Sequence, residues 1–278
     1  MQPILNIAGY RFVDLPDRDD LIEPYQNKCQ RLHLKGTILI AHEGINFFLA
    51  GVEPAINDFI SFLEQDERMR DIQIKKSWTD YQPFNRMNVR KKKEIISVGL
   101  DDIRPAEFTG PSITPSELKD ALDGNKNVNL LDTRNIYEMK IGTFEHAIDL
   151  NIESFRDFPK AIQELPESLK DEPIVMFCTG GIRCEKASAI MIEAGFKDVR
   201  QLKGGILGYF EEVGGAHWKG NCFVFDQRVA VNPDLIETGE VVCFACRTPL
   251  TIEEQQHATY KAGVSCLYCA ESKPISPK

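Results

Sequence analysis

A chain of 278 residues with 42% hydrophobic and 27% charged residues has ordinary globular composition, which excludes a disordered chain and leaves room for at least two domains. A net charge of −9 excludes a protein that coats nucleic acid by bulk electrostatics, although a local basic patch remains open to it. The start carries no basic-then-apolar leader and no run approaches the ~18 apolar residues of a membrane span, so a soluble cytoplasmic protein with no membrane partner is expected.

From Ile4 to Trp78 the pattern reads strand, helix, strand, strand, helix, strand. The middle strands, Gly36 to Ala41 and Asn46 to Ala50, are joined by His42-Glu43-Gly44-Ile45, a connection of hairpin length. The helix beginning near Glu53-Pro54 carries Ile56, Phe59, Ile60 and Leu63 at spacings of three and four, one apolar stripe for a sheet face. The earlier helix, about Asp19 to Leu32, must place Pro24 in its first turn or kink there. The order βαββαβ predicts a ferredoxin-like domain over residues 1–80.

Residues 81–111 read as a linker with one strand at Glu94 to Val98. It opens with Arg86-Met87-Asn88-Val89-Arg90-Lys91-Lys92-Lys93, five cations in eight residues, preceded by Trp78, Tyr81 and Phe84. Arg86, Arg90, Lys91, Lys92 and Lys93 suit RNA phosphates and the aromatics suit unpaired bases, while a solvated charged loop is the plainer alternative.

Residues 112–214 alternate strands and helices. Thr114-Pro115-Ser116-Glu117 forms a capping box with Pro at the first helical position, and Gly124 supplies the stop. Apolar runs at Val128 to Leu131, Ile174 to Phe177 and Val199 to Leu202, with a helix over Glu185 to Ala194, predict an α/β domain with a parallel sheet covered on both faces. Ligands in such sheets sit at the carboxyl ends of strands. There Cys178 follows an apolar strand and begins Cys178-Thr179-Gly180-Gly181-Ile182-Arg183-Cys184. Loop amides and a helix start favour thiolate over thiol, the glycines let backbone wrap an anion, and Arg183 is expected to grip that anion with two prongs. Cys184 at the loop's far edge is either a redox partner for Cys178 or a packed helix cysteine.

From residue 215 to 278 the chain carries Cys243, Cys246, Cys266 and Cys269 as C-x2-C-x19-C-x2-C, the spacing of two knuckles around a structural zinc. Two reducible pairs or an iron–sulfur cluster are the alternatives. The eight cysteines as a set read as thiols and metal ligands, with Cys29 and Cys222 structural.

Asp132-Thr133-Arg134 with Glu138, Gly142, His146 and Asn151 resembles the amino-terminal rhodanese signature, and Leu202-Lys203-Gly204-Gly205-Ile206 with Tyr209 resembles the carboxy-terminal one. In rhodaneses the cysteine matching Cys178 carries a persulfide and the Asp-x-Arg segment supports structure. Phosphatases of related fold place five residues between Cys and Arg; here there are four, Thr179 to Ile182, which favours sulfur over phosphate. Gly36 to Asn46, Pro83 to Ile95, Cys178 to Ala187 and Asn221 to Asp226 together resemble the bacterial rhodanese-related tRNA uridine hydroxylases from end to end. That resemblance implies oxygen-dependent 5-hydroxylation of the wobble uridine of tRNA, an essential Cys178, and an amino-terminal domain and basic run that help hold tRNA. Oxygen chemistry normally needs a flavin, a redox metal or another electron source, and a sulfur- or electron-donor protein is an expected partner. No G-x-G-x-x-G nucleotide loop is evident, nor a 2-His-1-carboxylate set among His33, His42, His146, His217 and His257. Attack of the Cys178 thiolate or persulfide on uracil C6 would enrich C5 for the oxygen atom. A plain sulfurtransferase carrying sulfane sulfur on Cys178 is the rival reading, and a catalytically dead RNA-binding scaffold a third.

Overall fold

The computed structural model describes residues 2–270, so Met1 and the last eight residues of the C-terminal segment lie outside the described residues. Strand β1 (Ile4–Phe12) sets the logic of the first domain by alternation: Leu5 and Ile7 point into an apolar core, while Asn6, Ala8, Tyr10 and Phe12 take the opposite face. Helix α1 (Arg18–Arg31) continues through Pro24, which sits inside the helix beyond its first turn, and buried Tyr25 and Cys29 dock it. Strands β2 (Lys35–Ala41) and β3 (Gly44–Gly51) form the expected hairpin across a two-residue turn. Gly44 opens β3 with φ 143°, where a Cβ would lie 2.0 Å from the Arg11 carbonyl oxygen. Helix α2 (Glu53–Leu63) buries Ile56, Phe59 and Leu63, and β4 (Ile74–Thr79) closes the ferredoxin-like order β4-β1-β3-β2.

The basic run departs from expectation. It is a fifth strand, β5 (Met87–Lys91), added parallel to β2, because Met87 and Val89 alternate onto the first core while Arg90 and Lys91 stay exposed. Glu94 to Val98, read as the strand, is a turn instead. The Glu94 carboxylate accepts the backbone N–H groups of Val98 (2.9 Å) and Gly99, a local alternative to a ladder.

The second domain runs β6 (Ser112–Ile113), α3 (Pro115–Asp123), β7 (Asn129–Asp132), α4 (Ile136–Met139), β8 (Gly142–Phe144), β9 (Ile148–Asp149), α5 (Phe158–Ala161), β10 (Pro173–Phe177), α6 (Ile182–Glu193), β11 (Asp198–Leu202) and α7 (Gly205–Val213). The capping box at Thr114 and Glu117 forms, and α3 ends on Gly124. Five strands in the order β6-β11-β10-β7-β9 make an all-parallel sheet. Phe158, Ala187 and Met191 cover one face, and Leu118, Ile206 and Tyr209 cover the other. Helix α6 starts one turn earlier than Glu185, which places Arg183 and Cys184 in its first turn.

The stretch after residue 214 completes this domain. Strand β12 (Trp218–Gly220) pairs with β8, and β13 (Cys222–Phe223) with β14 (Ala230–Val231); Trp218, Cys222, Val224 and Val231 enter the core that holds Phe177 and Tyr209. Only the last part stands by itself, where β15 (Val241–Val242) and β16 (Pro249–Leu250) frame a small cluster of Cys243, Leu250 and Cys266. Among the described residues no helix is long and apolar enough to cross a membrane.

Lys186 on α6, with no exposed surface, lies 2.8 Å from both Glu43, in the β2–β3 turn, and Glu94, and so pins the two sheets together. The helix-free face of the first sheet thereby roofs the carboxyl ends of the second.

Candidate active site: a thiol beneath a two-domain cleft

The loop from Cys178 to Gly181 leaves β10 and turns at once into α6. Gly181 adopts φ 101°, and its amide donates to Cys178 Sγ at 3.1 Å. The turn of Gly204 and Gly205 underpins this loop: with φ 62°, a Cβ on Gly205 would lie 2.5 Å from the Cys178 carbonyl oxygen. The amides at the start of α7 finish the support, Ile206 donating to the Cys178 carbonyl (2.9 Å) and Leu207 to that of Thr179 (3.1 Å).

Cys178 is 0% exposed and forms part of the cleft floor. Burial pushes its thiol pKa up, but the Cys184 thiol, the Arg183 charge and the amides of Arg183 and Gly181 outweigh burial and hold it below the ordinary thiol range. Cys184, equally buried and 3.7 Å from Thr133 Oγ1, is pushed well above that range by burial and by the neighbouring sulfur. The two shifts run in opposite directions, so Cys178 is the more acidic thiol of the pair. Burial pushes Cys29 and Cys222 up to about 12, which suits their packing roles.

Arg183 does not reach toward the loop's open side. Its two prongs close on Glu138, Nη1 to Oε2 at 2.6 Å and Nη2 to Oε1 at 2.8 Å, and Thr179 Oγ1 donates to the same carboxylate at 3.3 Å. The pair is buried, so the expected grip on an anion is replaced by a brace that ties the loop to α4 while its charge still acts on Cys178. Arg134 and Asp132 form a second buried pair below, with Arg134 also donating to the Gly142 carbonyl at 2.6 Å.

The roof belongs to the first domain. Tyr10 donates its hydroxyl to Glu185 at 3.0 Å, and a Cβ on Gly181 would lie 2.9 Å from that oxygen. Burial and the Glu185 carboxylate push the Tyr10 phenol well above its ordinary pKa, so it remains a donor. Thr109 (2.7 Å) and Gln201 (3.2 Å) hold the other Glu185 oxygen. Between roof and loop lies a cleft of about 480 Å³, rimmed by Arg11, Lys75, Lys203, Phe48 and Phe225. Thr179, Gly180, Gly181, Ile182 and Arg183 all line it. Strand parity was the legible sign of this roof, since polar and aromatic side chains on the even positions of β1 had no helix to face.

None of the five cations from Arg86 to Lys93 lines the cleft. They lie exposed along the outer edge of the first sheet, where Lys91 pairs with Asp19 (3.0 Å) and Lys93 with Asp101 (2.7 Å).

Cys243, Cys246, Cys266 and Cys269 converge with all four sulfurs within 4.8 Å of one another. The Cys243–Cys269, Cys246–Cys266 and Cys266–Cys269 sulfur separations are 3.8, 3.6 and 3.8 Å. A tetrahedron of thiolates around zinc at ~2.3 Å has edges of about 3.8 Å, so the donor set and its spacing fit that ion.

A parallel α/β domain with a low-pKa cysteine in a loop at a strand end, roofed by a ferredoxin-like sheet, defines a rhodanese-type protein with an additional domain over its site. Residues 114–212 match the Rhodanese-like domain and residues 4–95 the UPF0176 acylphosphatase like domain. The tRNA uridine(34) hydroxylase of Cupriavidus necator is 49% identical over 275 residues, covering 97% of this chain and 98% of that one. Its counterpart in Cupriavidus metallidurans is 48% identical over 274 residues, 97% of both. Among solved structures, a rhodanese-like domain protein from Staphylococcus aureus is 26% identical over 36% of this chain and 90% of that one, with a TM-score of 0.31. This chain belongs to the tRNA uridine(34) hydroxylase family.

Proposed function

We propose that this protein hydroxylates C5 of the wobble uridine of tRNA, in the cytoplasm where tRNA is, with Cys178 as its essential residue. The observation that carries the reading is the cleft: about 480 Å³, within the roughly 300–1,000 Å³ of small-ligand sites, set between an activated thiol and a second domain. A single-stranded nucleotide splayed out of an RNA loop fits such a slot, whereas a duplex does not. Arg11, Lys75 and Lys203 at the rim would meet phosphates next to the target base, and Arg86, Arg90, Lys91, Lys92 and Lys93 along the outer edge would meet more distant ones. Zinc at the four cysteines would serve structure, since the cluster around it is too small to fold alone.

Replacing the C5 hydrogen by hydroxyl with molecular oxygen sends the second oxygen atom out as water and consumes two electrons and two protons. Closing the Cys178 thiolate and the Cys184 thiol into a disulfide releases the two electrons and one proton, and solvent supplies the other proton, so that uracil, O2, one thiolate, one thiol and one proton balance against hydroxyuracil, water and one disulfide. An external thiol or donor protein then reopens the disulfide. Cys184 is thus cast as the proton-bearing partner and Cys178 as the thiolate. A second reading, sulfane-sulfur transfer, draws on the covered Cys178: the outer sulfur of a persulfide would stand ~2 Å nearer the cleft.

Mass spectrometry of tRNA nucleosides from a deletion strain carrying the wild-type chain or Cys178→Ser separates the readings. Loss of 5-hydroxyuridine derivatives with Cys178→Ser is the expected result. Intact 5-hydroxyuridine with missing thiouridines would establish the sulfurtransferase in its place.

A further inference from the structure

We infer that Phe225, supplied by the stretch after residue 214 that completes the second domain, is the stacking platform on which the pyrimidine ring of the target nucleotide rests. The inference deepens the tRNA reading above and rests on it. Among the described residues ten large hydrophobic side chains are exposed, and Phe225, at 45%, is the one of them that lines the cleft. Trp78, Phe244, Ile236 and Val264 are as exposed or more so, and none borders it. An apolar ring left in water at the mouth of a reactive site, where Leu202 and Ile182 nearby are covered wholly or in part, calls for a ligand with a flat face.

The ring is held rather than loose. Phe223 meets it edge-on at 5.2 Å and 87°, Phe48 of the roof lies at 6.1 Å, and the Arg183 guanidinium carbon at 5.8 Å. The segment that carries it is tied to both domains. Val224 enters the second core, and the Val224 amide donates to the Val229 carbonyl (2.8 Å) across a tight turn. Arg228 holds Asp226 through two nitrogens (2.8 and 2.6 Å) and donates to Ser77 on β4 (2.7 Å). Gln227 donates from its backbone to the Pro83 carbonyl (3.2 Å) and from its side chain to Asn85 (2.9 Å). Such bracing on either side of one exposed ring is what a preorganised platform requires, since a base then stacks without ordering the loop first.

Rings and bases stack with little regard to base identity, so Phe225 would set affinity and position, and leave recognition of uracil to the polar groups of the roof and loop. With purified full-length protein and transcribed tRNA, Phe225→Ala is expected to raise KM by about five- to 150-fold with a smaller effect on kcat. Phe225→Trp should return KM to near the wild-type value and Phe225→Leu should not, because leucine restores bulk without a π face. Unchanged melting temperatures would show that each variant is folded. A wild-type KM for Phe225→Ala, or equal rescue by Leu and Trp, overturns the platform. Binding of an anticodon stem-loop with the target base present or replaced by an abasic residue gives a readout independent of hydroxylation. Removing the ring and removing the base should not add, because each deletes the same contact. Additive losses would overturn the inference even if the hydroxylase reading stood, and a wild-type protein that couples ring to base yet makes no hydroxyuridine would sink that reading alone.

Discussion

Glu138 shows how much of a reactive loop depends on a side chain that never meets substrate. Burial pushes its carboxyl pKa up, and the Arg183 guanidinium beside it outweighs that and holds it below the ordinary range. A depressed carboxyl contributes stability above its unfolded pKa near ~4.3 and loses it as pH falls through the lower folded value, so this brace weakens on the acid side of that pKa. Glu138→Ala leaves the Arg183 cation buried and unpaired, at a cost of about 3–5 kcal/mol, or a melting midpoint lower by roughly 6–20 °C. Glu138→Gln, which keeps the shape, should lose less. A scanning-calorimetry midpoint for Glu138→Ala within a degree of wild type would show that the pair does not hold the loop. That Cys178 would be reactive was legible from Cys-Thr-Gly-Gly and the following helix. That Arg183 would turn away was not, because its partner stands 45 residues upstream.

At the scale of elements, α6 carries both the site and the joint between domains. Arg183 and Cys184 face the loop from its first turn, and Lys186 reaches the carboxylates of Glu43 and Glu94. Lys186→Met keeps the stem but sets two carboxylates against each other without a cation. The expected result is a loss of about 3–5 kcal/mol, seen as earlier melting of the first domain and faster proteolysis over residues 96–111. Adding Glu43→Gln and Glu94→Gln should recover part of it. Unaltered proteolysis in Lys186→Met would remove Lys186 from the joint. The same scale explains the misplaced strand. Five cations dominate the composition of the basic run, but Met87 and Val89 at alternate positions sufficed to dock it on an edge with its charges outward.

Across the whole molecule the tail does two different jobs. Its first part is core for the second domain and places Phe225; its last part holds four sulfurs around a cluster with few buried apolar neighbours. Cys266→Ser, or chelation of the intact protein, is expected to abolish about one equivalent of zinc by elemental analysis. Residues near 240–270 should then become protease-sensitive, while the two larger domains melt as before. Retention of one zinc in Cys266→Ser would rule out the four-cysteine site.

By itself the sequence determined the two α/β units, the capping box at Thr114, the strand-end position of Cys178 and the pairing of the cysteine knuckles. All of these follow from local periodicity, short spacings or turn chemistry, which act between neighbours along the chain. Tertiary structure alone decided that Tyr10 and Phe48 would roof the loop, that Glu138 would take both prongs of Arg183, that Lys186 would find Glu43 and Glu94, and that Phe225 would reach the cleft from the tail. Each of those contacts joins residues tens to hundreds of positions apart. Their partners are chosen by which sheet face lacks a helix and which buried charge lacks a counter-ion, conditions that exist only once the domains have closed on each other.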